Sequence, residues 1–548
     1  MTTKRMEIEG MTCEHCEKTV AEALTSAGAA AAQVSWRGGQ AVFEAADASD
    51  HQLTSAVEEA GYKVTSIAAE AERPTGFRAV VGDARSDYDL VVIGSGSAAF
   101  AAAIHAAGAG ARVALMESNV VGGTCVNVGC VPSKAMLAPA EQRYRAGHHP
   151  FAGIERAALG FDLGQLVDAK AALVDELRQE KYMDLAASYG FTICKGLAEF
   201  VDAQTIECGG ELIRAGKYII ATGGSPAVPP VPGLKDAGYL TSTTALELRQ
   251  PPKRMAVLGA GPVGLEMGQL FMHLGSSVTF ITRGEVASRE EPETSQTLTA
   301  VLEQEGARVI TNAEVTGVER VAGGRRVSFR HDGREEVLDV DEILVATGRR
   351  PNTESLGLEK AGIEVTKNRA IKVGDDLQTT NPRVWAAGDV TGHRQFVYVA
   401  AYEGNIAARN ALQAAGRKVD FHALPRVIFT SPTFAAAGLT DEQANARGIK
   451  CECRVLPMSA VPRALVNRDT RGFMKIVAEV GTGKILGASM VADGAGDVIH
   501  SAVLAIQFGL TTDDIANAWA PYLTFAEAFK LAAQTFKRDV SKLSCCAA

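Results

Sequence analysis

Apolar residues in this chain fall into short unbroken runs that end in glycine-rich turns, the pattern of strands buried on both faces of a parallel sheet. Asp89-Leu90-Val91-Val92-Ile93 runs into Gly94-Ser95-Gly96-Ser97-Ala98-Ala99, which predicts a strand, a tight turn and a small-residue helix. Arg112-Val113-Ala114-Leu115-Met116 predicts the next strand, closed by Glu117. The same order recurs at Met255-Ala256-Val257-Leu258, followed by Gly259-Ala260-Gly261-Pro262-Val263-Gly264 and the strand Ser277-Val278-Thr279-Phe280-Ile281. Strand, glycine turn, helix and strand in sequence make a dinucleotide-binding unit. The glycines let backbone approach a pyrophosphate, and the helix N-terminus receives its charge. In the first unit Gly94, Gly96 and Ala98 occupy the three fingerprint positions, and Glu117 is placed to accept hydrogen bonds from a ribose. In the second, Gly259, Gly261 and Gly264 do so, but the following strand ends in Thr282-Arg283 instead of an acid. An arginine there suits a 2′-phosphate, with Arg289 in support, so NADPH is expected over NADH.

The two ends of the chain are patterned differently. Lys4-Arg5-Met6-Glu7-Ile8 alternates as a half-buried strand, and Gly10-Met11-Thr12-Cys13-Glu14-His15-Cys16 then opens a helical run to about Ala27. A strand around Ala41-Val42-Phe43 and a helix from Ser49 to Ala60 complete a small unit over residues 1–68. Cys13 and Cys16 are expected on a loop at a helix start, where both sulfurs would be exposed and able to ligate a soft cation. A redox pair or half of a zinc site are the alternatives. Residues 69–86 lose any hydrophobic period and read as a flexible tether. From about Ala423, strands around Arg426–Phe429, Phe473–Val477 and Ile485–Ala488 precede helices from about Ala495.

At 548 residues the chain is long enough for three or four domains. The formal net charge of -9 lacks the basic footprint of a nucleic-acid binder, so no such partner is expected. No window of about eighteen uncharged apolar residues is present, which argues against membrane insertion and for a cytoplasmic protein.

Ten cysteines fall mostly in close pairs, Cys13/Cys16, Cys125/Cys130, Cys451/Cys453 and Cys545/Cys546. In a reducing compartment such pairs point to redox chemistry or soft-metal binding. Cys125 and Cys130 lie in Gly122-Gly123-Thr124-Cys125-Val126-Asn127-Val128-Gly129-Cys130-Val131-Pro132-Ser133-Lys134, just after the first fingerprint. A helix start and a nearby lysine there favour a thiolate. Cys451 and Cys453 are expected on opposite sides of a strand, with no role. The adjacent Cys545 and Cys546 close a disulfide only with strain, and suit cation capture from a mobile tail expected to follow a long amphipathic helix.

The Gly-Gly-Thr-Cys-x-x-x-x-Gly-Cys-x-Pro-Ser-Lys stretch resembles the flavin-facing signature of the pyridine nucleotide-disulfide oxidoreductase family, and residues 1–68 resemble a heavy-metal-associated domain. The resemblance implies an α/β protein with two Rossmann-like domains, for FAD and NAD(P), and an α+β dimerisation domain. A small ferredoxin-like βαββαβ metal-binding domain precedes them. The expected bounds are 87–250 and 351–422 for the FAD domain, 251–350 for the NADPH domain and 423–548 for dimerisation. It implies that Gly123, Thr124, Ala221, Thr222, Gly223 and Asp389 belong to the FAD site. Lys134 and Glu266 would pair beside the flavin, with Cys130 the inner and Cys125 the outer sulfur.

Members that reduce organic disulfides carry His-Pro-Thr-x-x-Glu near the C-terminus, whereas this chain has Ala520-Pro521-Tyr522-Leu523-Thr524-Phe525. The acid-base histidine and its glutamate are missing, so a departing thiol would find no proton donor in that motif. With the cysteine tail, this narrows the resemblance to members that act on mercury(II). It implies Hg(II) as substrate, arriving on thiols or a metal-transfer protein. The ion would pass from Cys13/Cys16 to Cys545/Cys546 of a partner in a homodimer and on to Cys125/Cys130, with Tyr522 assisting. A reductase of small disulfides is the alternative.

Overall fold

The computed structural model describes residues 2–11, 14–36, 39–45, 48–69 and 86–539. The chain divides into two compact units, Met1–Ala79 and Val80–Ala548.

The first unit runs β1 (Thr2–Glu9), α1 (Glu14–Ser26), β2 (Ala29–Ser35), β3 (Gln40–Ala45), α2 (Asp50–Glu59) and β4 (Lys63–Ala69). Its antiparallel sheet has the order β2-β3-β1-β4, which is the expected βαββαβ topology. The alternation of β1 places Met6 and Ile8 in a core with Val20, Leu24, Phe43, Leu53 and Val57. Ser49 caps α2 through a reciprocal pair of hydrogen bonds with Gln52, which fixes where that helix begins. Cys16 departs from expectation. It lies in the first turn of α1 and is only 8% exposed, because the face of α1 that carries Val20 and Leu24 also carries Cys16 into the core. Cys13 lies outside the described residues, as does most of the expected tether, residues 70–85.

In the second unit, β5 (Tyr88–Ile93) leads into α3 (Ser97–Gly108) and then β6 (Val113–Glu117). These strands pair in parallel, and β5 pairs on its other side with Glu211–Ile220. Val384–Ala386 joins Glu211–Ile220 in parallel from far along the sequence. The helix Val397–Gln413 then packs on α3 so closely that a Cβ on Gly404 would stand 2.1 Å from the Ala98 carbonyl oxygen. The glycine at position 404 is what permits that approach.

The second nucleotide-binding sheet is parallel, in the order Arg308–Ile310, Ser277–Ile281, Arg254–Leu258, Glu342–Val345. The helix Pro262–His273 begins directly after its glycine turn, with Pro262 in the first turn where no hydrogen-bond donor is needed. The C-terminal region is an antiparallel sheet ordered Pro425–Ile428, Thr433–Gly438, Ile485–Ala492, Phe473–Glu479, Cys451–Pro457. Helices Ala495–Gln507 and Glu527–Gln534 share its core.

Two expectations fail here. The helix before the cysteine tail spans only the eight residues Glu527–Gln534, so it is not long. Cys451 and Cys453 are indeed strand residues, but positions two apart on a strand project to the same side, and both pair across to Phe473–Glu479 on that side. Among the described residues, no helix is long and apolar enough to cross a membrane.

Candidate functional site

The first glycine turn forms a cradle that any side chain would fill. Gly94, at φ +113°, would place a Cβ 2.4 Å from the Ala221 carbonyl oxygen. A Cβ on Gly123 would stand 2.5 Å from the Gly96 Cα, so two backbone segments touch where α3 begins. Gly96 caps α3 without a side chain, leaving its N-terminus turned to the cradle. At the ends of the neighbouring strands stand Glu117, which accepts from the Ser95 hydroxyl at 2.5 Å and the Asn119 amide at 2.7 Å, and Asp389. A pyrophosphate cradle flanked by two carboxylates fits the FAD that the family resemblance implies. The turn after Glu211–Ile220 adds Ala221, Thr222 and Gly223, and the Thr222 hydroxyl donates to the Asn352 carbonyl oxygen at 2.7 Å.

Cys125 lies in α4 (Gly123–Val128), and Cys130 is the first residue of α5 (Cys130–His148). Gly129 sits between them, where a Cβ would meet the Thr124 carbonyl oxygen at 2.8 Å. The two sulfurs share a hydrogen bond in which Cys125 keeps the proton, and this, with burial, raises the Cys125 thiol. The same bond lowers Cys130 to about 7, and the Lys134 ammonium adds to that effect against the cost of burial. Cys130 is thus the sulfur that ionises first, near neutral pH, and Cys125 the one that keeps its proton. The Lys134 ammonium donates to Glu266 at 2.6 Å and stands 4.4 Å from the centre of the Phe429 ring. Glu266, 7% exposed, also accepts from the Phe429 amide at 3.0 Å. Lys134 and Glu266, 132 residues apart, are therefore brought together beside the thiolate.

One consequence is testable. Replacing Lys134 by methionine removes the positive charge near Cys130, so its pKa rises from about 7 toward the ordinary thiol value of about 8.5. The midpoint of Cys130 alkylation against pH moves upward in the variant; an unchanged midpoint would mean that Lys134 does not tune the sulfur.

The second glycine turn opens onto a cleft of about 1250 Å³, lined by Gly259, Gly261, Pro262, Arg283, Arg289 and Arg394 among others. A Cβ on Gly264 would stand 2.1 Å from the Gly259 carbonyl oxygen, which is why the third fingerprint position is glycine. A helix N-terminus with arginines at the end of the next strand fits NADPH. Tyr522, 47% exposed, lies between the last two helices, on a different domain from the two sulfurs. Cys545 and Cys546 lie outside the described residues.

Comparison with known proteins agrees with this arrangement. Residues 88–404 match the pyridine nucleotide-disulphide oxidoreductase model, 424–533 its dimerisation domain, and 5–63 the heavy-metal-associated domain. The mercuric reductase of Staphylococcus aureus is 47% identical over 544 residues, covering 99% of both chains. The chain belongs to the mercuric reductase family. The Streptomyces lividans mercuric reductase is 49% identical over 85% of this chain and 99% of its own. Among solved structures, the HOCl-induced flavoprotein disulfide reductase RclA from Escherichia coli is 31% identical, with a TM-score of 0.74, covering 82% of this chain and all of that one.

In this member of the mercuric reductase family, residues that the sequence reading passed over hold the site together. Arg349 donates to Asp389 at 3.2 Å and to the Thr124 hydroxyl at 3.4 Å, and also to the Gly224 carbonyl oxygen. It thereby ties three separate segments of the cradle into one. A sequence signal was present, since Ala346-Thr347-Gly348 before it repeats the Ala221-Thr222-Gly223 turn. Glu403, fully buried, accepts from the Gly388 amide at 2.6 Å and pairs with His393 at 2.8 Å, fixing the turn that carries Asp389.

Proposed function

We propose that this chain is a cytoplasmic, NADPH-dependent mercury(II) reductase that converts thiol-bound Hg(II) to Hg(0) at Cys125 and Cys130. The observation that supports this reading best is the thiol and thiolate held beside the Lys134–Glu266 pair, in a chain that aligns end to end with mercuric reductases.

Cys130 meets the ion as a thiolate, and Cys125 follows by giving up its proton as the second bond forms. The neutral bis-thiolate adduct suits a partly buried site better than a charged one. Lys134, held by Glu266, keeps positive charge at the inner sulfur. Gly94, Gly96, Ala98, Gly123, Thr124, Glu117, Ala221, Thr222, Gly223 and Asp389 would hold FAD, which when bound relays an electron pair from NADPH to the dithiol side. Gly259, Gly261, Gly264 and Arg283 would hold NADPH. Two electrons reduce Hg(II), both sulfurs are released as thiolates, and the product departs uncharged.

Delivery is read as stepwise thiolate exchange from Cys13/Cys16 through Cys545/Cys546 of a second copy in a homodimer, with Tyr522 assisting near the inner site. The dimerisation domain and the exposure of Tyr522 support this part. Because Cys16 is buried, an ion reaching it must draw the sulfur outward or bind first through Cys13. Ala520 in place of a histidine disfavours reduction of small disulfides.

The test is anaerobic NADPH oxidation by the purified holoenzyme with Hg(II) and excess monothiol, run beside the same assay with glutathione disulfide. Hg(II)-dependent oxidation with release of mercury vapour is expected. Turnover with the disulfide and none with Hg(II) would overturn the assignment. For the second nucleotide, Arg283→Ala is expected to raise KM for NADPH about tenfold or more, the worth of a charge-assisted hydrogen bond, and to leave KM for NADH nearly unchanged. Equal effects on the two would remove Arg283 from the 2′-phosphate.

A further inference from the structure

Cys451-Glu452-Cys453 opens the edge strand of the C-terminal sheet, and nothing above uses it. Across the ladder Cys451 faces Glu479, Cys453 faces Val477 and Val455 faces Lys475, so both sulfurs and the Lys475 side chain leave one side of the sheet. That side lies under the helix Asp441–Ala446: the Cys451 thiol donates to the Asp441 carbonyl oxygen at 3.9 Å and to Asn445 Oδ1 at 3.8 Å. Both cysteines are half-buried. Burial first, then the neighbouring Cys451 sulfur, pushes the Cys453 thiol up to about 12.

Strand geometry decides what such a pair can do. Residues two apart on a strand have Cα atoms about 6.7 Å apart with near-parallel side chains. A disulfide requires Cβ atoms about 3.5–4.5 Å apart, which the ladder does not allow without breaking. A linear two-coordinate cation with metal–sulfur bonds of about 2.3 Å needs sulfurs about 4.6 Å apart, and two side chains leaning toward each other from neighbouring same-side positions provide that. Among the described residues, no group of three or more His, Cys, Asp or Glu converges as a metal shell, so a tetrahedral cation lacks its remaining ligands.

Charge narrows the choice further. On the same side, the Lys475 ammonium is already shared at 3.0 Å by Glu291, Glu293 and Asp441. An extra negative charge beside three carboxylates is opposed, which disfavours a monovalent ion held by two thiolates. A divalent ion releases two protons and leaves a neutral adduct.

We propose that Cys451 and Cys453 form a further binding site for a soft, two-coordinate divalent cation, with Hg(II) as the ion the site would take. Both S–H bonds break, two protons go to solvent, two metal–sulfur bonds form, and no electron is transferred. The site goes beyond the proposed function and needs no turnover to be detected.

The test uses the reduced full-length holoenzyme without NADPH, dialysed against Hg(II) buffered by an excess of monothiol, with metal and FAD counted per chain. The parent protein is expected to retain one Hg(II) more than Cys451→Ser/Cys453→Ser, and either single variant should lose the same equivalent. A Cys194→Ser/Cys208→Ser control is expected to keep it. Unchanged FAD content and melting temperature establish that each variant is folded. Equal metal retention by the parent and the folded double variant overturns the proposal; if the double variant does not fold, equal retention by the parent and a folded single variant does so. NADPH oxidation on adding Hg(II) is a separate readout, so its absence would count against the proposed function and not against this site.

Discussion

Changing both Cys125 and Cys130 to alanine is expected to reduce mercury volatilisation about 10³-fold or more, the scale seen when residues that act as a unit are removed from an active site. FAD should remain bound, because the cradle of Gly94, Gly96 and Gly123 and the Arg349–Asp389 tie do not involve the sulfurs. The single variants should differ in kind. Cys130→Ala removes the thiolate and the hydrogen-bond acceptor of Cys125, whereas Cys125→Ala leaves Cys130 without the donor that contributes most to lowering it. The Cys130 titration in Cys125→Ala should therefore move above about 7, read by alkylation against pH. Vapour release by the double variant at the parent rate would sink the dithiol mechanism.

The second large effect concerns stability. Lys475→Met removes a cation that is 2% exposed and leaves Glu291, Glu293 and Asp441 facing one another. Stripping one partner from a buried ion pair costs about 3–5 kcal/mol, because the remaining charge loses both water and counter-charge. Glu291 belongs to the segment entering the helix Pro292–Gln304 and Asp441 to the C-terminal sheet region, so the loss falls where those parts meet. A thermal scan of the holoenzyme should show a clear drop in melting temperature. Glu291→Gln added to Lys475→Met should recover part of it, since it removes an uncompensated carboxylate. A drop smaller than about 1 °C in Lys475→Met would mean that the carboxylates find other partners.

Most of the framework was legible because it is written in local patterns. The runs Leu90–Ile93, Val113–Met116, Met255–Leu258 and Val278–Ile281 lie in strands where expected, and both glycine turns start helices. The βαββαβ topology of residues 1–68 came from the resemblance to a heavy-metal-associated domain, and the sheet order β2-β3-β1-β4 agrees with it. What escaped depends on residues distant in sequence. Arg349 looks like one half of an exposed Arg-Arg pair until folding brings Asp389 and Thr124 to it. Glu403 reads as an ordinary helix position until the Gly388 turn closes over it. The burial of Cys16 was missed because the loop before it suggested exposure, although Val20 and Leu24, four and eight residues on, mark the same helix face as the buried one. The placing of Cys451 and Cys453 on opposite sides was an error of period, since a strand repeats every two residues.

The last strand of the first nucleotide sheet, Val384–Ala386, is made about 290 residues after β5, with a whole second sheet encoded between them. On a ribosome adding about 5–20 residues per second, β5 therefore waits roughly 15–60 s for the segment that completes its sheet. The helix that clasps α3 through Gly404 emerges later still. A nascent chain halted before residue 384 should bind no flavin, however well its first glycine turn has formed, so loading of the enzyme is timed by the emergence of Val384–Gln413 and not by that of the first glycine turn.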